Sequence, residues 1–317
     1  MKFRFFSISL LLILLSFVNL SASKYAGELF QMGVSVRNLA LGRCGVADYH
    51  SASLAYWNPA LLNLVENNRY ELMHAEEYNG LLTYDTASLI WGRNIKLALV
   101  ITRIGIDDIP LTSLQNPEDS ISFANRPYKY KSVNNSDFVV YAGIYRKIGN
   151  INLGLTPKLA YRHLAEENGF GFGADLSTYY EINTDLLLAL RLRDFFTTQI
   201  LWANGSHEVV YPGLDLEANY RFLVPLLQRE ANFLLGIESH TDNRDFSATM
   251  SLAFLSIDLH AGLAVRVHPH LELLLGYDID NLTSGLSLFY RNWLLNYAFE
   301  YNPELDNSHR ISLGRQL

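Results

Sequence analysis

Apolar and polar residues alternate one by one along most of the chain after residue 68. Successive side chains of a β-strand point to opposite faces, so a period of two residues predicts strands with one apolar and one polar face. The pattern is clear in 152–163, 169–182 and 257–267. It is also clear in 213–222, where the apolar face consists of Leu214, Leu216, Ala218, Tyr220 and Phe222.

The alternation predicts fourteen strands in succession, joined by short turns. Residue pairs such as Gly149-Asn150 and Asp280-Asn281 mark turns between them. Strands joined this tightly must be antiparallel neighbours, because a parallel return needs a dozen residues or more. The result is an up-and-down meander, with a fifteenth strand if 246–255 is counted separately. The predicted strands are 69–77, 82–92, 95–105, 136–147, 150–163, 169–182, 184–194, 207–222, 231–240, 257–267, 269–279, 283–290, 292–302 and 308–316.

A meander of this length has two physical solutions. A soluble sandwich or barrel points its apolar face inward, whereas a membrane barrel turns that face to lipid and its polar face to the lumen. Soluble strands average about 5–6 residues and spanning strands about 9–11, and the predicted strands match the second figure. We therefore expect an all-β fold, a transmembrane up-and-down antiparallel β-barrel of about 14 strands. The aromatic residues expected at the membrane interfaces are Tyr141, Tyr145, Tyr161, Tyr180, Tyr211, Tyr277, Tyr290, Trp293 and Tyr301.

Ionisable residues of both signs fall on the polar face of these strands. An Arg or Lys that faced lipid at mid-depth would cost about 2–4 kcal/mol, so these side chains are expected to point into the barrel. Both signs together favour pairing across the lumen and a partly filled interior over a wide diffusion pore, although any single one could be a solvated lumen residue. The expected lumen-lining residues are Lys158, Arg162, Asp175, Glu181, Arg191, Arg193, Asp215, Glu217, Arg221, Asp258 and Arg266.

Residues 1–23 have the layout of a secretory signal peptide. Lys2 and Arg4 precede an uncharged apolar run from Phe5 to Val18, and the small residues of 21–23 follow. The run is shorter than the about 20 residues that a spanning helix needs, which favours a cleaved signal over an uncleaved anchor. We expect cleavage near residue 23 and a location in the outer membrane of a Gram-negative-type cell.

The composition excludes several classes of protein. Of the 317 residues, 49% are hydrophobic and 18% charged, so the chain is neither a disordered polymer nor a coiled coil. Lys and Arg number 25 against 32 acidic residues, and the net charge of −7 predicts no nucleic-acid partner.

Three motifs stand in order along the chain. Gly33-x-x-x-Arg37-x-x-x-x-Gly42 leads to Ala55-Tyr56-Trp57-Asn58-Pro59-Ala60, in a region where a short helix is predicted with its cap near Ser53 or Asn58. Asp107-Asp108-Ile109-Pro110 precedes Thr112, and Asn296-Tyr297-Ala298-Phe299 precedes 307–314. With the strand repeat between them, these motifs resemble the PorV/PorQ family of outer-membrane proteins, within the wider FadL-like superfamily.

The resemblance implies a barrel over 69–317 and an N-terminal hatch or plug with short helices over 24–68. FadL-like members move hydrophobic compounds from outside, through the barrel, toward a lateral opening in its wall, and the hatch would gate an apolar pocket. PorV-like members serve type IX secretion and accompany cargo proteins at the cell surface, and a long loop at about 106–135 would grip the partner. The implied hatch motif is Tyr56, Trp57, Asn58, Pro59 and Ala60, and the implied loop residues are Asp107, Asp108 and Pro110.

Some positions depart from the family pattern. Arg43-Cys44 stands where a Gly-rich pair is usual, His50-Ser51 replaces an acidic pair, and Leu61 replaces a glycine. The chain ends in Leu317, whereas barrels handed to the outer-membrane assembly machinery typically end in an aromatic residue. The expected partners are outer-membrane lipid, that machinery, and either a hydrophobic small molecule or a secreted cargo protein. Transport of hydrophobic compounds is the preferred function, and type IX secretion or surface display is the alternative.

The sequence offers little support for catalysis, and we expect no catalytic residue, cofactor or metal. The alternate glycines of 169–173 lie inside a predicted strand and are not a phosphate loop. His268-Pro269-His270 falls at a turn without a third ligand nearby in sequence. The single cysteine, Cys44, cannot form an intramolecular disulfide and is expected to be buried in the plug. Barrel enzymes with a Ser or His near the rim exist, so an enzyme is kept as an outside alternative.

Overall fold

The fold is a closed antiparallel β-barrel in a computed structural model that describes residues 27–93, 95–241, 248–252 and 255–317. Fourteen strands form the ring, which closes where the first strand pairs with the last and Arg69 lies opposite Gln316. The expected architecture is confirmed, while the expected signal peptide lies outside the described residues. The strand segments are β1 (Arg69–Glu77), β2 (Leu82–Trp91), β3 (Leu97–Ser113), β4 (Tyr128–Ile148), β5 (Ile151–Leu164), β6 (Glu167–Glu181), β7 (Leu186–Arg193), β8 (Thr198–Trp202), β9 (His207–Val210), β10 (Gly213–Val224), β11 (Arg229–His240), β12 (Met250–Leu252), β13 (Leu255–His268), β14 (Leu271–Asp278), β15 (Asn281–Tyr290), β16 (Trp293–Tyr301) and β17 (Ser308–Gln316).

The seventeen segments correspond to fourteen strands of the ring. Two of these strands are each interrupted and so count as two segments, and one short segment lies outside the ring. β7 and β8 follow one another along β6, and β9 and β10 are separated by Tyr211 and Pro212. The predicted strand 207–222 is therefore two segments, since a proline has no N–H to give to the ladder. The short β12 pairs with the start of β13. The ring order is β1, β2, β3, β4, β5, β6, β7, β10, β11, β13, β14, β15, β16 and β17.

The two faces of the wall are apolar outside and polar inside. In β10 the outward Leu216 is 45% exposed, whereas the next residue, Glu217, is 5% exposed. In β17 Leu313 points outward and Ser312 is buried. A soluble barrel would bury the leucines instead, so the exposed apolar face identifies the barrel as transmembrane.

The two ends of the barrel differ in their connections. At one end, here called the short-turn end, the strands are joined by 92–96, 149–150, 182–185, 225–228, 269–270 and 291–292. Asn68 and Leu317 meet at this end, where the Leu317 N–H donates to the Asn68 carbonyl. The opposite, long-loop end carries 114–127 and the 194–212 region that holds β8 and β9.

The segment 106–135 is mostly a β-hairpin, so the prediction of a loop of this length was wrong. β3 and β4 stay paired out to Ser113 and Tyr128, which leaves 114–127 as the connection. Asp107 and Asp108 lie in β3 at a register shift between Ile106 and Ile109. Asp108 has a φ of 54° and its N–H donates to the Asn134 side chain, 3.1 Å away. A β-bulge thus absorbs the residues that interrupt the alternation.

The aromatic residues at the strand ends follow the prediction in most places. Tyr161, Tyr180, Tyr277, Tyr290, Trp293 and Tyr301 are exposed on the outer wall. Tyr145 and Tyr211 are half-buried. Tyr141 is buried inside the barrel against Tyr56, with ring centroids 5.2 Å apart, so its assignment to the membrane interface was wrong.

Residues 27–68 lie inside the barrel and are here called the plug. They contain two short α-helices, Val36–Ala40 and Leu54–Trp57, and two 3-10 helices, Glu28–Phe30 and Pro59–Leu64. The helices pack on the inner faces of β3 to β6 and β14 to β17, and their apolar side chains form the core of the molecule. None of the helices in the described ranges is long and apolar enough to span a bilayer.

Candidate functional site

Asn58 fixes the turn between the α-helix Leu54–Trp57 and the 3-10 helix Pro59–Leu64 of the plug. Its side-chain oxygen accepts the Ala60 N–H at 3.0 Å and so caps the 3-10 helix that begins at Pro59. Its amide nitrogen donates to the Val46 carbonyl at 2.8 Å and to the Thr178 carbonyl of β6 at 3.3 Å. The predicted cap at Asn58 is confirmed, and the same side chain joins the plug to the wall.

Two glycines of the wall make room for this turn. A Cβ built on Gly154 of β5 would lie 2.4 Å from the Ala60 nitrogen, and one on Gly143 of β4 would lie 2.8 Å from the Ala55 Cα. Because no side chain fits between them, the plug backbone rests directly on the strand backbone at both places.

Tyr56 and Trp57 connect this turn to the start of the plug. The Tyr56 hydroxyl donates to the Phe30 carbonyl at 2.9 Å, and Trp57 Nε1 donates to the Val34 carbonyl at 2.8 Å. The Arg191 guanidinium lies 5.3 Å from the Tyr56 ring and donates to the Tyr56 carbonyl at 2.9 Å. The five residues of the predicted hatch motif are thus one buried unit in contact with the wall.

The Glu217 carboxylate of β10 accepts hydrogen bonds from three consecutive backbone N–H groups of the plug. Its Oε2 accepts from Gly45 at 2.9 Å and Val46 at 3.0 Å, and its Oε1 accepts from Ala47 at 2.9 Å. Successive N–H groups that converge in this way form an anion-binding concavity. The carboxylate that occupies it belongs to the wall, so this is a plug–wall contact.

Arg37 forms a second charged contact between plug and wall. Its Nε donates to Asp48 at 2.9 Å, and its Nη1 donates to Glu272 of β14. Burial alone would raise the pKa of the Asp48 carboxyl, but the Arg37 charge and the hydrogen bonds from His50 outweigh it and hold that pKa well below its usual range. Asp48 therefore stays ionised beside Arg37.

Most of the predicted lumen residues lie inside the barrel and are paired. Lys158 lies 2.8 Å from Asp175 and 2.7 Å from Asp194. Arg191 and Arg193 share Asp215 at 2.6 and 3.0 Å. These ion pairs join neighbouring strands of the inner face, β5 to β6 and β7 to β10, and do not cross the lumen. Buried carboxylates that the sequence did not single out include Glu71, Glu77, Asp137 and Asp194.

The remaining predicted lumen residues take several positions. Asp258 lies 3.5 Å from His240, and Arg162 pairs with Asp137 at 3.1 Å. Three others line cavities at the short-turn end and lie at the mouth of the barrel: Glu181, Arg221 and Arg266.

The other candidate sites of the sequence show no catalytic arrangement. Within the described ranges, no three His, Cys, Asp or Glu side chains are arranged to hold a metal ion. The Gly169–Gly173 run lies in β6, where Gly173 allows close approach of Thr198. Cys44 is buried in the plug, as predicted, and burial raises the pKa of its thiol well above the usual value.

An apolar cavity of about 360 Å³ lies in the wall at β6 and β7. Tyr180, Leu188 and Leu216 line its outer part. Tyr179, a buried residue of β6, also lines it, and the Tyr179 hydroxyl accepts a hydrogen bond from Asn63 of the plug at 3.1 Å. The ladder between β6 and β7 is unbroken here, so the wall is closed between this cavity and the plug.

No protein family and no curated protein matches the sequence of this chain. Its fold is similar to that of the Pseudomonas putida toluene transporter TodX, with a TM-score of 0.55 and 11% identity over 89% of this chain and 96% of that one. The monoaromatic hydrocarbon channel CymD gives a TM-score of 0.51 at 11% identity over 90% and 98%. At this identity the likeness shows a shared fold only. The resemblance to the PorV/PorQ family stays a prediction from the motifs.

Proposed function

We propose that this protein is a non-enzymatic channel for hydrophobic compounds in the outer membrane, with the plug as its gate. The observation that carries the proposal is the contact of the plug with β6 beside an apolar cavity. Asn58 donates a hydrogen bond to the Thr178 carbonyl, and Asn63 donates one to the Tyr179 hydroxyl. Thr178 and Tyr179 both line that cavity. The fold shared with the toluene transporter TodX and the hydrocarbon channel CymD supports hydrophobic compounds as the substrates.

The gate works by local movement of the plug away from the wall. The polar contacts between them are hydrogen bonds that can be exchanged for water singly, and apolar side chains of the plug such as Tyr56 must also leave their packing against the wall. Release of Asn58 and Asn63 frees β6 on its inner side, next to the apolar cavity. A hydrophobic compound then passes from the lumen toward the lipid once the ladder between β6 and β7, which is unbroken with the plug in place, also parts.

A disulfide between plug and wall tests the gate. The hydroxyls of Ser53 in the plug and Ser88 in β2 lie 3.0 Å apart, which suits a cysteine pair. With Cys44→Ala as the background, oxidised Ser53→Cys/Ser88→Cys should take up the hydrophobic dye N-phenylnaphthylamine at least about tenfold more slowly in cells. Dithiothreitol should restore the rate.

The two single cysteine variants in the same background are the controls, and neither should respond to dithiothreitol. Unchanged dye uptake with the disulfide fully formed would show that the plug does not gate this route.

A second function, type IX secretion or surface display, is supported by the extended hairpin of β3 and β4. Its connection exposes Ile121 at 73% and Phe123 at 88%, beyond the end of the barrel. Exposed apolar side chains on a long projecting element are typical of sites that bind a protein partner. In this alternative the barrel is an anchor, and its lumen stays closed by the plug.

A further inference from the structure

A polar cavity of about 400 Å³ opens at the short-turn end, between the plug and the wall. Arg37 and His50 of the plug line one side, and Arg69, Arg266, Glu272 and Phe289 line the other. A second cavity of about 370 Å³ adjoins it and shares His50, Arg266 and Glu272. Three arginine side chains thus meet in one recess that the proposed transport route at β6 and β7 does not use.

Two of these arginines have buried N–H groups without a partner. Arg37 is 4% exposed, and its Nη2 makes no hydrogen bond although Nε and Nη1 are both paired. Arg69 Nε is likewise buried and unpaired, while its Nη1 donates to the His50 carbonyl at 2.7 Å. A buried donor left without an acceptor costs about 1–3 kcal/mol. An acceptor atom supplied by a ligand would therefore stabilise both N–H groups.

Arg266 supplies a third guanidinium that is held in place. It stacks on the Phe289 ring, 3.8 Å from the centroid, and donates to the Pro269 carbonyl at 3.3 Å. Among the described residues, neither Arg69 nor Arg266 forms an ion pair with a carboxylate. Their charges are therefore available to a ligand.

The carboxylates in and behind the recess either pair with Arg37 or lie at its rim. Glu272 and the buried Asp48 both pair with Arg37, and Glu66 is exposed at the rim. Arg69 and Arg266 therefore carry the charge of the lining that is not paired with a carboxylate. A guanidinium presents its N–H groups in a planar fork that matches the oxygens of a carboxylate or phosphate.

We propose that this recess, lined by Arg37, Arg69 and Arg266, binds an oxyanion, either a carboxylate or a phosphate group. The ligand's oxygens accept from Arg37 Nη2 and Arg69 Nε, and Arg266 closes the site from β13. Phe289 and Leu294 offer an apolar side for an organic substituent. The site goes beyond the proposed transport function, since it lies between the plug and β13 to β17, away from β6.

Calorimetry on the full chain in an uncharged detergent tests the site with two probes, inorganic phosphate and benzoate. We expect saturable binding of at least one probe by the unaltered protein and a loss of at least about tenfold in affinity for Arg69→Gln/Arg266→Gln. Arg266→Gln alone should also weaken binding, and it leaves the Arg69 contact with the plug in place. Arg291→Gln is the matched control, because Arg291 stacks on Tyr290 at the same end and does not line the recess.

Vesicles of phosphatidylcholine with and without phosphatidylglycerol separate the two sources of a phosphate. A preference for phosphatidylglycerol that Arg266→Gln abolishes identifies a lipid headgroup as the ligand, whereas binding of the free probes alone identifies a soluble anion. Heat-modifiable gel mobility checks that each variant is folded. The proposal is overturned if neither probe nor lipid binds saturably, or if folded Arg266→Gln and the double variant bind as the unaltered protein does.

Discussion

At the residue scale, Glu217 separates what the sequence predicts from what only the structure shows. The alternation in β10 placed it on the polar face, and the structure has it buried there. Its partners are the backbone N–H groups of residues 45–47, which no side-chain pattern marks. The sequence therefore predicted the direction of this side chain but not its role in holding the plug.

Replacement of Glu217 by glutamine should loosen the plug. The neutral amide offers one acceptor oxygen to three donors, so the plug contact should weaken by about 1–3 kcal/mol. Amide hydrogen exchange at 45–47 should accelerate by about tenfold or more, while the strands stay protected.

Glu181→Gln is the control for this substitution, because Glu181 is exposed at the mouth. Equal exchange rates at 45–47 in both variants would contradict the role assigned to Glu217.

At the element scale, prediction succeeded where the alternation is continuous. The predicted bounds of β1 and β17 agree with the structure, and β17 alternates between polar inner and apolar outer residues through most of its length. It failed in 106–135, because two consecutive aspartates and three prolines conceal the hairpin. The bulge at Asp108 lets the ladder continue past the two aspartates, and its extra residue breaks the period of two that marks a strand in the sequence. The prediction for Tyr141 failed for another reason: this residue lies well inside β4, on the face that Tyr56 of the plug covers.

The hairpin of β3 and β4 separates the two proposed functions. Ile121→Ser/Phe123→Ser removes exposed apolar surface, and its effect on the free energy of unfolding should be within about 0.5 kcal/mol. If the protein serves surface display, the amount of a type IX cargo protein retained on the cell surface should fall several-fold, and uptake of N-phenylnaphthylamine should not change.

Leu114→Ser, in the same connection but half-buried, is the comparison variant. Full retention of cargo by the Ile121/Phe123 variant would contradict the secretion alternative and leave the channel as the better account.

At the scale of the whole molecule, the barrel is a closed wall around a filled interior. The plug supplies most of the apolar core, and ion pairs such as Lys158 with Asp175 bridge the polar inner face. Loss of one partner of a buried pair leaves the other charge buried and unpaired, so these pairs hold the side chains of the inner face in one arrangement. The barrel could be predicted from the period of its strands, whereas the pairing of its interior depends on contacts between residues far apart in sequence.

The central claim is that the apolar side of every strand touches lipid. Nitroxide labels at single cysteines across 310–314 of β17, in the Cys44→Ala background and in lipid vesicles, test it most directly. The measured quantity is the collision rate of each label with molecular oxygen, which concentrates in the bilayer. This rate should be high at 311 and 313 and low at 310, 312 and 314, because Ile311 and Leu313 point outward and Arg310 and Ser312 are buried. An alternation of the opposite phase, or none, would contradict the account.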